Sequence, residues 1–546
     1  MLYLKYHTLI SLVNLGGWLM IKKLLFLSLV CFSLMSLSAC SILPQSNTEI
    51  SAEKKKKKKK KKDSKKNTGE DDGEDDGEDD GEDDGEEEID NSDFAFLDFD
   101  VSKEFISNTQ PAIIYDKLIL KNSGYDELAQ SVDTFNNKVK TSFLNNSGET
   151  YHKNGYIISR ADNKVVSVFA QEDLYTESVK YFLSSATYDS ETGKDIALSD
   201  IINLDFDFDE IYSDFDFDSS IKDPNEFKSR IQNLINDESQ GKDDYKADNM
   251  TAWTLGYNGI SIYTVAKLTS GQYYYDQVVQ FDIPYSKYPE LYNKKYMAKP
   301  DEFGFNIAAN GEFYYDINGD GEAEHIRLSA NIIDGGYNIE DYVINIDGDI
   351  ATITAGDLAG YSIQNFIFIR FNNKNYLMFN ETGDNDGQIL RMLDLNTCEF
   401  AVNSEFEQYL SFPDYNSLIY NPRRMLLSNL IYTVSTFEVI NMYEFSSDES
   451  FKNLNSSYEI VSSLIFTSKI DLQADVISDN GEALERIDIS AGTTFYPYAT
   501  DSNSYTDYKL DDGRTVRLPM GYDDDHGHTI NGIPVGDVFD GVVYAG

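Results

Sequence analysis

Apolar residues recur at three- and four-residue spacing over residues 126–144. Leu128, Val132, Phe135 and Val139 share one face, which predicts a helix with a single buried stripe. On either side the pattern shortens. Residues 112–115 and 118–120 read as strands before the helix, and 156–160 and 164–170 as a hairpin after it, turned by Ala161-Asp162-Asn163. Residues 187–202 predict a strand, a Thr192-Gly193-Lys194 turn, a short strand and a helix start capped by Ser199. Three more strands fall at 253–255, 259–263 and 278–286. The fold class expected for residues 93–298 is therefore α+β. Within it, residues 204–218 read LDFDFDEIYSDFDFD, with Phe206, Phe208, Phe215 and Phe217 alternating with acids. A period of two places phenyls on one sheet face and carboxylates on the other. That pattern suits an ordinary amphipathic strand pair or loop, or an acidic-aromatic edge for a cationic partner.

After residue 299 the pattern becomes that of a mainly antiparallel β module. Residues 341–346, 365–370 and 375–379 predict strands in a β-rich region over 299–400. In the C-terminal region, 401–546, residues 400–460 have poor periodicity that admits a helix. Short strands return at 484–489, 493–496, 508–510 and 515–518, with Asp511-Asp512-Gly513 as a hairpin turn.

The N-terminal pattern is of another kind. Residues 20–39 read MIKKLLFLSLVCFSLMSLSA, with Lys22 and Lys23 ahead of a short apolar run that ends in small residues, as in an export signal. Leu37-Ser38-Ala39-Cys40 resembles the bacterial lipobox. That resemblance implies a lipoprotein, with Cys40 carrying a diacylglycerol thioether and the chain held on the extracytoplasmic face of the cell membrane. Residues 1–19 are expected to be an upstream extension, because Leu15-Gly16-Gly17 back-translates through a ribosome-binding sequence and makes Met20 the expected initiator. Residues 40–92 are expected to form a disordered tether: lysines from 54 to 62, then Gly/Glu/Asp repeats from 69 onward. The basic block adjoins the lipid site, where each lysine near an anionic leaflet can add up to about 1 kcal/mol of attraction; the alternative is that the basic and acidic blocks simply solvate or pair with each other.

Charge narrows the function classes. The 546-residue chain carries a net charge of −48, so it offers no basic groove for DNA or RNA, and no nucleic-acid partner is expected. The same acidity attracts cationic proteins and divalent metals. With Cys31 in the signal and Cys40 at the lipid site, Cys398 alone remains, so no internal disulfide is expected. No Ser-His-Asp order, phosphate-cradling glycine loop or zinc-protease helix occurs, and enzymatic activity is not expected.

Asn163–Val168, residues 188–202, Gly259-Ile260-Ser261-Ile262-Tyr263 and Phe281-Asp282-Ile283-Pro284-Tyr285 appear in an order that resembles the domain of unknown function shared by the anti-sigma factor RsiV and the deacetylase PdaC. The resemblance covers roughly residues 94–296 and implies a compact sheet-and-helix domain outside a bacterial cell. In the RsiV branch such a domain binds lysozyme, a cationic protein. This chain has no counterpart of the sigma-binding segment or of the deacetylase's zinc-binding histidines, since His152 stands alone, so neither activity carries over.

One further motif concerns metal chemistry. Asp316, Asn318, Asp320, Glu322 and Glu324 place oxygen at alternating positions, and Gly321 permits a sharp turn between them. Ca²⁺ takes six to eight oxygens, which such loops supply. Position twelve is Arg327 rather than the bidentate Glu of an EF-hand, and a strand pattern follows. The loop resembles the Asp-rich turn of FG-GAP and VCBS-like β-repeats, which implies a structural Ca²⁺; a metal-free Asx turn is the alternative. Echoes at 345–349 and 380–387 read as hairpin turns. Asp523, Asp524, Asp525, His526 and His528 gather transition-metal ligand types, or form a solvated loop. Together these features point to a surface lipoprotein that binds a lysozyme-like cationic protein or a wall glycan. A wall hydrolase or deacetylase with an unrecognised site, and a structural spacer, are the alternatives.

Overall fold

Helix α1 (Asp126–Asn146) buries the stripe that its sequence announces: Leu128, Val132, Phe135, Val139 and Phe143 are all 3% exposed or less. Each such side chain contributes roughly 1.5–3 kcal/mol by leaving water. Asp126 and Glu127 lie in its first turn, where the helix dipole favours negative charge. The computed structural model describes residues 94–544, except 107–112, 147–151, 176–178, 214–220, 240–249, 271–272, 334–337, 356–359, 361, 384–387, 402–409, 414–415, 462–463, 479 and 526. The signal, Cys40, the tether, Phe215, Phe217 and His526 lie outside the described residues.

Around α1 stand two sheets, an antiparallel pair and a larger sheet whose first three strands are antiparallel. The first pairs β1 (Phe99–Ile106) with β2 (Ile113–Leu120). The second joins β3 (His152–Ala161), β4 (Val165–Tyr175) and β5 (Val179–Asp189). The Thr192-Gly193-Lys194 turn sits on α1. Gly193 has φ +65°, a Cβ there would lie 2.6 Å from the Glu127 carbonyl, and Ser131 Oγ donates to the Gly193 carbonyl at 2.7 Å. The following helix, α2 (Leu198–Ile201), begins earlier than expected: Ala197 occupies the cap and Ser199 lies inside the helix.

The Phe/Asp alternation also resolves differently. Residues 208–213 form a helix, α3 (Phe208–Ser213), rather than a strand. Asp207 Oδ1 accepts the Asp209 N–H at 2.9 Å, which starts the helix, and Phe208 and Ile211 then share a buried face. With α4 (Pro224–Ser239) this face covers one side of a three-stranded sheet, β6 (Thr251–Gly256), β7 (Gly259–Ser270) and β8 (Tyr273–Pro284).

Strands continue after residue 300. β9 (Phe303–Asn306) is the edge of a five-stranded sheet that also contains β14 (Ser362–Phe371), β15 (Lys374–Thr382), β16 (Gln388–Asp394) and β17 (Glu399–Phe400). A second sheet runs in chain order through β10 (Glu312–Tyr315), β11 (Glu324–Ile333), β12 (Asn338–Ile346) and β13 (Asp349–Thr354). The described part of 400–460 is β-structure rather than helix: β18 (Ser417–Leu418), β19 (Met425–Tyr432) and β20 (Thr436–Phe445) are its main strands. The last sheet builds outward from β19 and β20 through the strands that end the chain.

The expected fold class, an α+β domain followed by a β module, is corrected. Strands hold 55% and helices 14% of the described structure, in sheets that range from two to thirteen strands. The physical reason is that late residues complete early structure. Ser417 and Leu418 pair in parallel with Ile157 and Ile158 of β3. Tyr420 donates its hydroxyl to the Leu97 carbonyl at 2.8 Å, and Asn416 accepts the Tyr156 N–H at 2.9 Å. A single apolar core runs from Leu97 to Met442.

At the turn of the β3–β4 hairpin lies a fully buried ion pair. Arg160 Nε donates to Asp162 Oδ2 at 2.8 Å, with both side chains 0% exposed. Arg160 also donates to the carbonyls of Tyr296 at 2.7 Å and Ala298 at 3.1 Å. Removing one partner of a buried pair costs about 3–5 kcal/mol, because the other charge is left uncompensated. Arg160→Leu should lower the urea-unfolding free energy by at least about 3 kcal/mol. Arg160→Lys should also be destabilised, because one ammonium cannot reproduce the fork that holds Asp162 and two carbonyls. A stable, natively folded Arg160→Leu variant would refute the assignment.

Candidate metal loop

Residues 316–323 connect β10 to β11, whose register sets Tyr315 opposite Glu324 and Tyr314 opposite His325. The turn needs two left-handed residues, and glycine supplies both: Gly319 at φ +78° and Gly321 at φ +89°. Asp316 organises the loop from one side. Its two carboxylate oxygens accept the N–H of Gly319 at 2.6 Å and of Gly321 at 2.9 Å. Glu324 closes it from the other, accepting the Ile317 N–H at 2.8 Å and the Asn318 amide. Asn318 Oδ1 accepts the Asp320 N–H at 2.8 Å, and Asp320 Oδ1 accepts the Glu322 N–H at 2.9 Å.

This chain of Asx-type bonds brings together Asp316, Asp320 and Glu324, whose nearest carboxylate oxygens lie within 4.8 Å of one another. Glu324 is buried, Asp316 half-buried and Asp320 exposed. Asn318 sits beside them with its amide turned to Glu324, whereas Glu322 is exposed and outside the trio. Three converging carboxylates repel one another, and a carboxylate oxygen that accepts one hydrogen bond keeps a further lone pair. The donor set thus suits a hard divalent cation.

Positive charge already stands close by. Lys299 is half-buried, with its ammonium over the rings of Tyr315 at 4.7 Å and Phe303 at 5.1 Å. Burial pulls it down to about 8, Arg370 adds to that, and Asp316 acts in the opposite direction. Asn375 on β15 anchors the loop, donating Nδ2 to the Ile317 carbonyl at 3.0 Å. Nothing in residues 316–324 signals this half-buried lysine or the Asn375 anchor; both come from sequence-distant positions.

The other candidates separate from this loop. Asp347 and Gly348 form the two-residue turn between β12 and β13, with φ of +51° and +91°. Asp347 Oδ1 accepts the His325 N–H at 2.8 Å, which ties that turn to β11. His325 Nε2 lies 2.7 Å from Glu312 Oε1, and its ring stacks on Tyr314. His528 packs edge-on against Tyr522 at the far end of the chain. Cys398 is half-buried, and burial raises its thiol, so a thiolate there is disfavoured.

No protein-family model matches this chain, and no curated protein matches it. Among solved structures, the crystal structure of a DUF3298 family member from Bacteroides fragilis aligns with 37% of this chain and 98% of its own, at 10% identity and a TM-score of 0.21. That likeness is too slight to carry an argument about function.

A Cβ on Gly321 meets nothing within 4 Å, so a substitution there reports the backbone alone. Gly321→Ala should destabilise the protein by about 1–2 kcal/mol through the left-handed conformation. Gly536→Ala, equally uncrowded but not left-handed, should cost clearly less in the same denaturant titration.

Proposed function

We propose that this chain is a lipoprotein of the extracytoplasmic face of the cell membrane and acts as a binding module for a cationic partner, such as a lysozyme-like protein, or for a cell-wall glycan. The Leu37-Ser38-Ala39-Cys40 motif behind a cationic and apolar run carries the reading, because it directs export and lipidation at Cys40. The net charge of −48 supports a basic partner and disfavours an acidic one. The residues that resemble the RsiV and PdaC domain support a recognition role. Globomycin should therefore shift the electrophoretic mobility of the protein by blocking signal removal. Immobilised lysozyme should capture the full chain and retain it at about 0.15 M salt, where the Debye length is near 8 Å. Capture lost entirely at that ionic strength would reduce the interaction to charge attraction.

In the same reading, Asp316, Asp320 and Glu324 hold a structural Ca²⁺, with Asn318 and Glu322 alongside. The ion would join β10 to β11 by neutralising carboxylates that repel each other. Free Ca²⁺ at a hundredfold excess over its Kd should stabilise the protein by about 2.7 kcal/mol. Chelator should reverse the gain and Asp320→Ala should abolish it. A melting temperature indifferent to Ca²⁺ and chelator would leave the metal-free Asx turn.

A further inference from the structure

The sheet formed by β6–β8 has two unlike faces. Ile260, Ile262, Phe281 and Ile283 point to the helices. Thr254, Ser261, Gln280 and Asp282 occupy the alternate register, so they share the opposite face. A narrow cleft, open to solvent and with room for about one water molecule, lies there, between this face, Ser159 of β3, and Phe305 and Asn306 of β9.

Among the described residues, Asp282 is the only carboxylate lining this cleft, and no lysine or arginine lines it. Its oxygens are held by neutral donors. Ser261 Oγ donates at 2.6 Å, and Gln280 Nε2 lies 2.9 and 3.1 Å from the two oxygens while also reaching the Asn306 carbonyl at 3.3 Å. The aromatic walls are Phe305 and Tyr263, the latter stacked on Phe169 at 4.2 Å. A fixed carboxylate without a cationic partner, beside aromatic rings, is a receptor for a positive group. The floor of the cleft admits a group about the size of a water molecule, which fits an ammonium but not a planar guanidinium or a sugar ring.

We propose that this cleft receives the ammonium tip of a lysine side chain from a basic protein partner. The assignment rests on the cationic-partner reading and gives it a contact point. Burial pushes Asp282 up to about 6, with the Ser261 and Gln280 bonds acting against that shift. The nearby phenol of Tyr263 is held by burial up to about 12, and burial also raises Tyr292, behind the sheet, so both stay neutral. The sign follows: Asp282 is charged at pH 7.5 and receptive, and mostly protonated at pH 5.

The probe is n-butylammonium, the end of a lysine side chain, titrated by NMR into the detergent-solubilised full chain, with n-butanol as its neutral counterpart. Saturable binding should appear at pH 7.5, weaken about tenfold at pH 5 as the ionised fraction falls, and vanish in Asp282→Asn. Absence of binding, equal affinity at the two pH values, or equally tight binding of n-butanol would overturn the assignment. Those comparisons use the native protein, so a misfolded variant leaves the test intact. Lysozyme capture plays no part in this readout, so the two readings fail separately.

Discussion

The Arg160–Asp162 pair is the constraint on which the first half of the molecule depends. Desolvating both charges is costly, and the structure offsets that cost with hydrogen bonds from all three Arg160 nitrogens and to both Asp162 carboxylate oxygens. Asp162 Oδ1 accepts the N–H of Lys164 and Val165, which shapes the hairpin turn. Its carbonyl accepts the Ser190 hydroxyl at 2.6 Å, and its backbone bridges to Phe96. Arg160 reaches the carbonyls that close the segment after β8 and lies 5.3 Å from the Tyr257 ring centre. Four sequence-distant segments are thereby fixed to one point, and the cleft beside Ser159 is held between β3 and the β6–β8 sheet.

Much of the local structure was legible in the sequence. The stripe of α1 and the strands around residues 160, 255, 260 and 280 follow from spacing alone, because burial of one face is a local pattern. What was not legible is long-range closure. The parallel pairing of Ser417-Leu418 with β3 spans some 260 residues, and no periodicity encodes a partner at that distance. The α+β reading failed on that count. The Phe/Asp stretch failed for a nearer reason: Asp207 reads as an alternating strand residue until its carboxylate caps a helix.

The convergence of carboxylates in the 316–324 loop was legible because its oxygens and glycines alternate within nine residues. Its charge environment was not, since Lys299, Arg370 and Asn375 arrive from other elements. The Asp282 cleft shows the same limit. Its signal was present as polar residues, Ser261, Gln280 and Asp282, at period two in strands with an apolar opposite face. A strand that buries one face ordinarily exposes the other to water. Only the packing of Ser159, Phe305 and Asn306 over that second face turns a solvated row into a recess.

The distribution of charge gives these features a common logic. The chain has 46 basic residues against 94 acidic ones, and nine of the basic ones stand together at 54–62. In the described structure several of the others serve joints between early and late elements. Arg424 pairs with Asp98 and Asp100, Arg423 with Glu302 and Glu444, and Lys103 with Glu459 at 3.7 Å. Cations spent internally leave the exterior anionic, and such a surface attracts any basic protein within a Debye length. Diffuse attraction of that kind is fast but indiscriminate. Discrimination requires a place where a particular cation loses water and finds a fixed counter-charge, which an exposed carboxylate cannot provide. Asp282, held by three hydrogen bonds between aromatic walls, meets that requirement.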